Sequence, residues 1–74
     1  MIDAALLPAL LSLLTVARTG SVGAAARLHH RTSSAISQQV RKLERHLGVR
    51  LLERAGRGVR LTAAGEAALP GILQ

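Results

Sequence analysis

Wound as a helix, Thr32 to Glu44 separates into two faces. Ile36, Val40, Leu43 and Leu47 recur at i, i+4, i+7 and i+11, an apolar stripe that has to pack on something. Ser33, Ser34, Ser37, Gln38, Arg41 and Arg45 fill the other arc, small and polar at its start and cationic further along, with Glu44 at its margin. Upstream, Ala4 to Ala17 is an uncharged run in which Leu10, Leu13, Leu14 and Ala17 share a face and Pro8 suits a first helical turn. A membrane span takes about 20 apolar residues, more than this run provides. The only charge before it is Asp3, where a secretory signal carries a basic flank. It reads as a buried core helix.

Gly20 ends that helix and Ser21 caps the next, a short Ala-rich one with Val22, Ala25 and Ala26 on its inner face. His29 is the awkward residue, because it falls seven residues after Val22, inside the apolar arc, while Leu28 lies about 100° away. A buried neutral histidine, a metal ligand, and a tightened last turn that swings Leu28 inward all fit; the tightened turn is the expectation. Thr32 then caps the third helix and Gly48 ends it. Leu51 to Arg54 and Val59 to Thr62 flank Ala55-Gly56-Arg57-Gly58, two short strands about a Gly-rich turn, with Arg57 at the tip. Thr62 caps a last helix whose face is Leu61, Ala64, Ala68 and Ile72, and Pro70-Gly71 is expected to kink or end it. Leu69, Ile72 and Leu73 have no partner in this scheme, which suggests a truncated chain or a dimer contact.

Composition narrows the chemistry. Without cysteine there is no disulfide framework and no thiolate metal site, and without Phe, Tyr or Trp there is no base-stacking platform for single strands. Ten Lys+Arg against four Asp+Glu leave a net charge of +6, and every cation lies between Arg18 and Arg60. Such a domain faces nucleic acid more often than membrane, although the preference for Arg over Lys also fits a GC-rich genome. Short donors at a helix start followed by cations suit a helix presented end-first to a major groove. An arginine held out on a loop beside it suits a contact with backbone or minor groove. An enzyme is disfavoured, since no carboxylate pair lies near a histidine and Gly56-x-Gly58 sits in a hairpin with no following helix to hold a phosphate. No cofactor and no metal are expected.

Gly20-Ser21, Ala25-Ala26, Ser37, Gln39-Val40, Leu43-Glu44, Leu47-Gly48-Val49, Leu51-Leu52-Glu53-Arg54 and Leu61-Thr62-x-x-Gly65 together closely resemble the N-terminal domain of LysR-type transcriptional regulators. The likeness covers about residues 7 to 69 without a gap. It implies a mainly α winged helix-turn-helix: a three-helix core, a two-stranded β-hairpin wing and a C-terminal linker helix. Residues 1–61 would form the DNA-binding domain, with the helix-turn-helix at about 21–41 and the wing at about 51–61. Residues 62–74 would begin a dimerisation helix. The resemblance also implies a cytoplasmic bacterial regulator, dimeric through that helix, tetrameric when complete, and responsive to a small-molecule effector through a domain not in this sequence.

Carried over residue by residue, the resemblance puts Ser33, Ser34, Ser37 and Gln38 against base edges. It puts Ser21, Thr32, Gln39 and Arg41 nearer the phosphates, and pairs Glu44 with Arg54 as a structural tie between helix and wing. Arg57 is assigned to DNA on its position at the hairpin tip. Departures from the family pattern are Leu13, Val22 and Leu52 where Phe is frequent, His29 at an apolar position, and Gln38 at a position often basic. The leading function is therefore sequence-specific double-stranded DNA binding in transcription regulation. The alternative is a nonspecific architectural or protein-interaction winged helix.

Overall fold

A computed structural model of the chain describes residues 4–73, with side chains described as far as Leu69. A 3-10 turn at Ala4–Leu6 leads into α1 (Leu7–Thr19), followed by α2 (Val22–Leu28), α3 (Ser33–Leu47), the strands β1 (Leu52–Ala55) and β2 (Gly58–Leu61), and α4 (Ala63–Leu73). Each helix stops for a local reason. Gly20 takes φ 73° and donates its N–H to the Val16 carbonyl, and Gly48 takes φ 73° and donates to Glu44. Both are left-handed closures that a side chain would strain.

The core is aliphatic and continuous. α1 lies along α3, and α2 packs on both. Leu6, Ala9, Leu10 and Leu13 meet Val40, Leu43 and Leu51, while Val16, Ala25, Ala26 and Ile36 form a second cluster beside them. Leu52 packs against both clusters, so the first residue of β1 joins the hairpin to the helices. The stripe expected on α3 is buried at Ile36, Val40 and Leu43, with Leu47 half-buried. On α1 the buried face is turned from the expected one. Ala9, Leu10, Ser12, Leu13 and Val16 are inside, and Leu14 and Ala17 are only half-buried. Contacts on two sides, from α3 and from α2, widen the stripe beyond a single row.

The end of α2 corrects the expectation for Leu28. The turn does tighten: Arg31 N–H donates to the Ala26 carbonyl at 2.8 Å and His30 N–H to Arg27 at 3.2 Å, with His30 itself at φ 54°. That pair of bonds is a Schellman closure with histidine in the left-handed position. It closes one residue too late to move Leu28, which stays 64% exposed. His29 is half-buried instead, its Nε2 2.7 Å from Thr15 Oγ1. Thr15 Oγ1 also lies 3.0 Å from the Leu11 carbonyl, and its single proton serves one of these two partners, according to the His29 tautomer. A polar contact to α1 thus occupies the place expected for a leucine.

The hairpin pairs Leu52 with Leu61, Glu53 with Arg60, Arg54 with Val59 and Ala55 with Gly58, leaving Gly56 and Arg57 as a two-residue turn. Only Gly56 has positive φ, 59°, which is the type II′ pattern suited to a twisted hairpin. Both strands therefore lie one residue nearer the turn than the sequence pattern suggested, and Ala55 and Gly58 belong to the strands and not to the turn. β2 is tied to the turn after α1, because Val59 N–H donates to the Gly20 carbonyl at 3.0 Å. Gly58 sits so close that a Cβ there would collide with the Gly20 carbonyl oxygen.

The segment between α3 and β1 is held from both sides. Leu51 N–H donates to Glu44 Oε2 at 2.7 Å, and the Leu51 carbonyl accepts from Thr62 N–H at 2.9 Å. Thr62 Oγ1 donates to the Arg50 carbonyl at 2.5 Å and accepts from Gly65 N–H at 2.9 Å, so one hydroxyl caps α4 and ties down the loop. Gly65 lets α4 press on this backbone; a Cβ there would lie 2.7 Å from the Leu51 carbonyl oxygen. That contact rotates α4 from the expected phase. Gly65 is buried and Ala68 and Leu69 half-buried, while Ala64 faces out; the side chain of Ile72 lies outside the described residues. Nor does Pro70-Gly71 end the helix, which runs to Leu73. A proline this near a helix end forfeits a single backbone bond.

The contacts at Glu44 and Gly58 set the stability expected of three variants. Glu44→Ala leaves the part-buried Leu51 N–H without its charged acceptor and is expected to cost ~1.5–3 kcal/mol in denaturant unfolding. Glu44→Gln keeps an acceptor and forfeits only an ion pair to exposed Arg50, a loss of under ~1 kcal/mol. Gly58→Ala has to push the hairpin off the Gly20 carbonyl and is expected to lower stability by ~1–3 kcal/mol, without loss of helix content by circular dichroism.

Candidate nucleic-acid interface

With its core face turned inward, α3 leaves Ser33, Ser34, Gln38, Arg41, Lys42 and Arg45 exposed. At about 100° per residue, Ser34, Gln38, Arg41 and Arg45 stand near the middle of this outer face. Ser33 and Ser37 lie toward one flank. Ser37 is half-buried and lines a cleft of about 430 Å³ with Val22, Val40, Arg41, Glu44, Arg50 and Leu52. Gln39 lies on the opposite flank, half-buried in a second cleft beside His29 and Arg31. The residues singled out in the sequence are thus spread over three surfaces of one helix. Ser34, Gln38 and Arg41 share the exposed one.

The capping residues have internal work. Thr32 Oγ1 accepts from Ala35 N–H at 3.0 Å and Ser21 Oγ accepts from Ala24 N–H at 3.0 Å. Each hydroxyl keeps a proton, so each can still donate to an acceptor outside the chain. Such a bond adds to the capping role and does not displace it. Arg57 stands exposed at the tip of the β1–β2 turn.

The expected Glu44–Arg54 pair does not form. Glu44 binds the Leu51 N–H and lies 3.7 Å from Arg50 Nε, while Glu53 pairs with Arg60 across the hairpin at 2.9 Å. Among the described residues these are the two ion pairs, and neither includes Arg54. Position along β1 accounts for the difference: Arg54 shares the face of Leu52, which lines a cleft with Glu44, but lies two residues nearer the hairpin tip, beside Ser21, Val22 and Val59. The helix and hairpin are joined through a backbone N–H, which no pairing of side-chain types reveals.

Sequence reasoning also missed Arg50 and Arg60 as the paired arginines, and the hydrogen bond from β2 to Gly20. The second has no sequence signal beyond two glycines. The first had one, since a two-residue turn at Gly56-Arg57 fixes Glu53 opposite Arg60. Among the described residues no group of three or more His, Cys, Asp or Glu is placed to hold a metal. No helix there is long and apolar enough to cross a membrane.

Comparison with known proteins gives one consistent result. The transcriptional regulator TfdS of Cupriavidus pinatubonensis is 53% identical over 53 residues, 72% of this chain and 18% of that protein. The transcriptional regulator PunR of Escherichia coli is 58% identical over 50 residues, 68% of this chain and 16% of that protein. The chain therefore spans less than a fifth of these two regulators. Among solved structures, the CbnR DNA-binding domain complexed with DNA matches at TM-score 0.78 and 44% identity, covering 86% of this chain and 74% of that one. A LysR-family regulator from Eggerthella lenta matches at TM-score 0.79 and 31% identity over the full length of both chains. The model of the bacterial regulatory helix-turn-helix proteins of the lysR family matches residues 7–66, most of the sequence, and the chain belongs to that family.

Proposed function

We propose that this chain is the sequence-specific double-stranded DNA-binding module of a transcriptional regulator, with α3 in the major groove and the β1–β2 wing against the flanking backbone or minor groove. The observation that carries the reading is the exposed Ser34–Gln38–Arg41–Arg45 face of α3, set beside an arginine-tipped hairpin on a chain of net charge +6. Ser33, Ser34, Ser37 and Gln38 are the base-facing residues. Gln38 suits the N6 and N7 edge of adenine, which it can bind with two hydrogen bonds. Ser21, Thr32, Gln39 and Arg41 bind backbone, where their contacts fix register and carry no sequence information. Arg57 reaches the DNA from the wing. Residues 1–61 form the DNA-binding unit, with the helix-turn-helix at about 21–41 and the wing at about 51–61, and residues 62–74 begin the linker.

The same reading extends to the longer protein. A homodimer forms through α4, a tetramer in the complete chain, and a small-molecule effector acts through a domain beyond these residues. The protein works in the cytoplasm, where its DNA is. Support comes from the regulators it resembles, each about four times its length.

Selection of bound sites from a random duplex pool tests the proposal. The expected product is an interrupted palindrome with half-sites one helical turn or a multiple apart, about 34 Å each. A pool that returns no motif would favour an architectural module. On a selected site, Gln38→Ala is expected to relax preference at one base pair by ~1–3 kcal/mol. Arg41→Ala is expected to weaken all sequences alike and to remove about one unit of the log–log salt slope. Competitive binding against single-base variants separates the two effects.

A further inference from the structure

One side of α1 is left uncovered where it meets the turn between α2 and α3. Leu7 and Leu11 stand one helical turn apart there, 48% and 49% exposed, with Pro8 beside them. Together with His29, Arg31 and Gln39, this apolar wall lines a cleft of about 340 Å³. Ser12 lines it too and is only 3% exposed. Every fully buried side-chain N or O atom among the described residues has a hydrogen-bond partner, and the Ser12 hydroxyl has none. Its Oγ is therefore reached from the cleft. Arg31 is exposed, takes part in neither ion pair, and is the one formal charge among the described residues lining the cleft.

We infer that this cleft binds a small organic monocarboxylate with a compact aliphatic body. The Arg31 guanidinium is a rigid fork of donors that matches the two oxygens of a carboxylate. Ser12 and Gln39 add neutral donors, from a hydroxyl and a side-chain amide. One cation without an acid beside it suits a single negative charge, leaves the second charge of a dianion unpaired, and repels an ammonium. The Leu7, Pro8 and Leu11 surface then gains by covering the rest of the ligand. His29, held 2.7 Å from Thr15, gives the cleft a fixed side. A volume at the lower end of small-molecule sites limits the ligand to about ten non-hydrogen atoms, for which Kd is on the order of a millimolar or tighter. On the DNA-binding reading above, Gln39 serves the backbone, so a carboxylate beside it stands where a phosphate would. Ligand and duplex then weaken each other by the same factor.

NMR titration of the isotope-labelled chain with cyclohexanecarboxylate, at constant pH and ionic strength, tests the site. The amides of Leu11, Ser12, Arg31 and Gln39 are expected to shift along a saturating curve while those of the hairpin stay in place. Acetate, which lacks the body, and cyclohexylmethylammonium, which lacks the anion, should give no saturating shift over the same concentrations. Arg31→Gln is expected to weaken binding about tenfold, and Ser12→Ala to weaken it severalfold. Arg27→Gln removes an exposed cation outside the cleft and keeps the wild-type affinity. Equal losses from Arg31→Gln and Arg27→Gln, matching shifts with acetate, or shifts centred elsewhere would overturn the proposal. The first two would mark general attraction to a basic chain. In a second arm, saturating cyclohexanecarboxylate in place of chloride should lower the wild-type affinity for a selected duplex severalfold and leave that of Arg31→Gln unchanged. No drop in the wild type, or an equal drop in both, would overturn the coupling. A wild type that binds no duplex would end the DNA reading, and the titration then decides the site by itself.

Discussion

The Leu51 backbone is the point on which the two halves of this fold are set against each other. Its N–H is bound by Glu44 from α3, its carbonyl by Thr62 at the start of α4, and its side chain is wholly buried. A hydrogen bond to a charged acceptor is worth ~1.5–3 kcal/mol, more than the exposed Glu44–Arg50 pair can supply. Glu44 therefore matters chiefly as an acceptor for backbone. Being on α3, it makes the helix that faces outward also the one that aims the wing. The second tether, Val59 to Gly20, fixes the other end of the hairpin to the turn before α2. Between them the wing has little freedom to swing.

That rigidity gives the surface its character. The outer face of α3, the half-buried Ser37 flank and the inner face of the hairpin form one concave strip, with Val22 at the junction of two clefts along it. Acids at its margin are occupied by Arg50, Arg60 and the Leu51 N–H, so the strip presents cations without internal competitors. With so small a core, about 60% of the unfolded surface is buried. Each close approach of backbone at Gly58 and Gly65 then counts heavily, because a small domain has little excess stability to absorb a misfit.

Much of this was legible in the residues. The α3 stripe, the caps at Ser21, Thr32 and Thr62, the stops at Gly20 and Gly48 and the hairpin about Gly56-Arg57 are local signals, and local physics settles them. What escaped was the set of contacts between segments distant in sequence. Leu28 was expected inside because apolar periodicity cannot see that Thr15, a turn of another helix, offers His29 a hydrogen-bond partner. Glu44 was paired with Arg54 on the family resemblance, and a backbone N–H at position 51 in need of an acceptor is not visible in residue types. The phase of α4 was missed for the same reason, since Gly65 looks like a weak helix residue until the Leu51 carbonyl is placed beside it. The residue types of the candidate surface could be read, then, but its division into an exposed centre, a wing-side cleft and a far flank required the packing.

In the proposed function, α3 and the wing engage adjacent grooves of one duplex. The absence of cysteine makes this directly measurable, since Arg57→Cys provides a unique thiol for an iron chelate that cleaves DNA within reach. On a selected duplex at low salt, cleavage should fall in a short minor-groove tract flanking each half-site, on both strands and offset across the groove. Cleavage centred in the half-site, or spread evenly along the duplex, would contradict the arrangement of helix and wing described above.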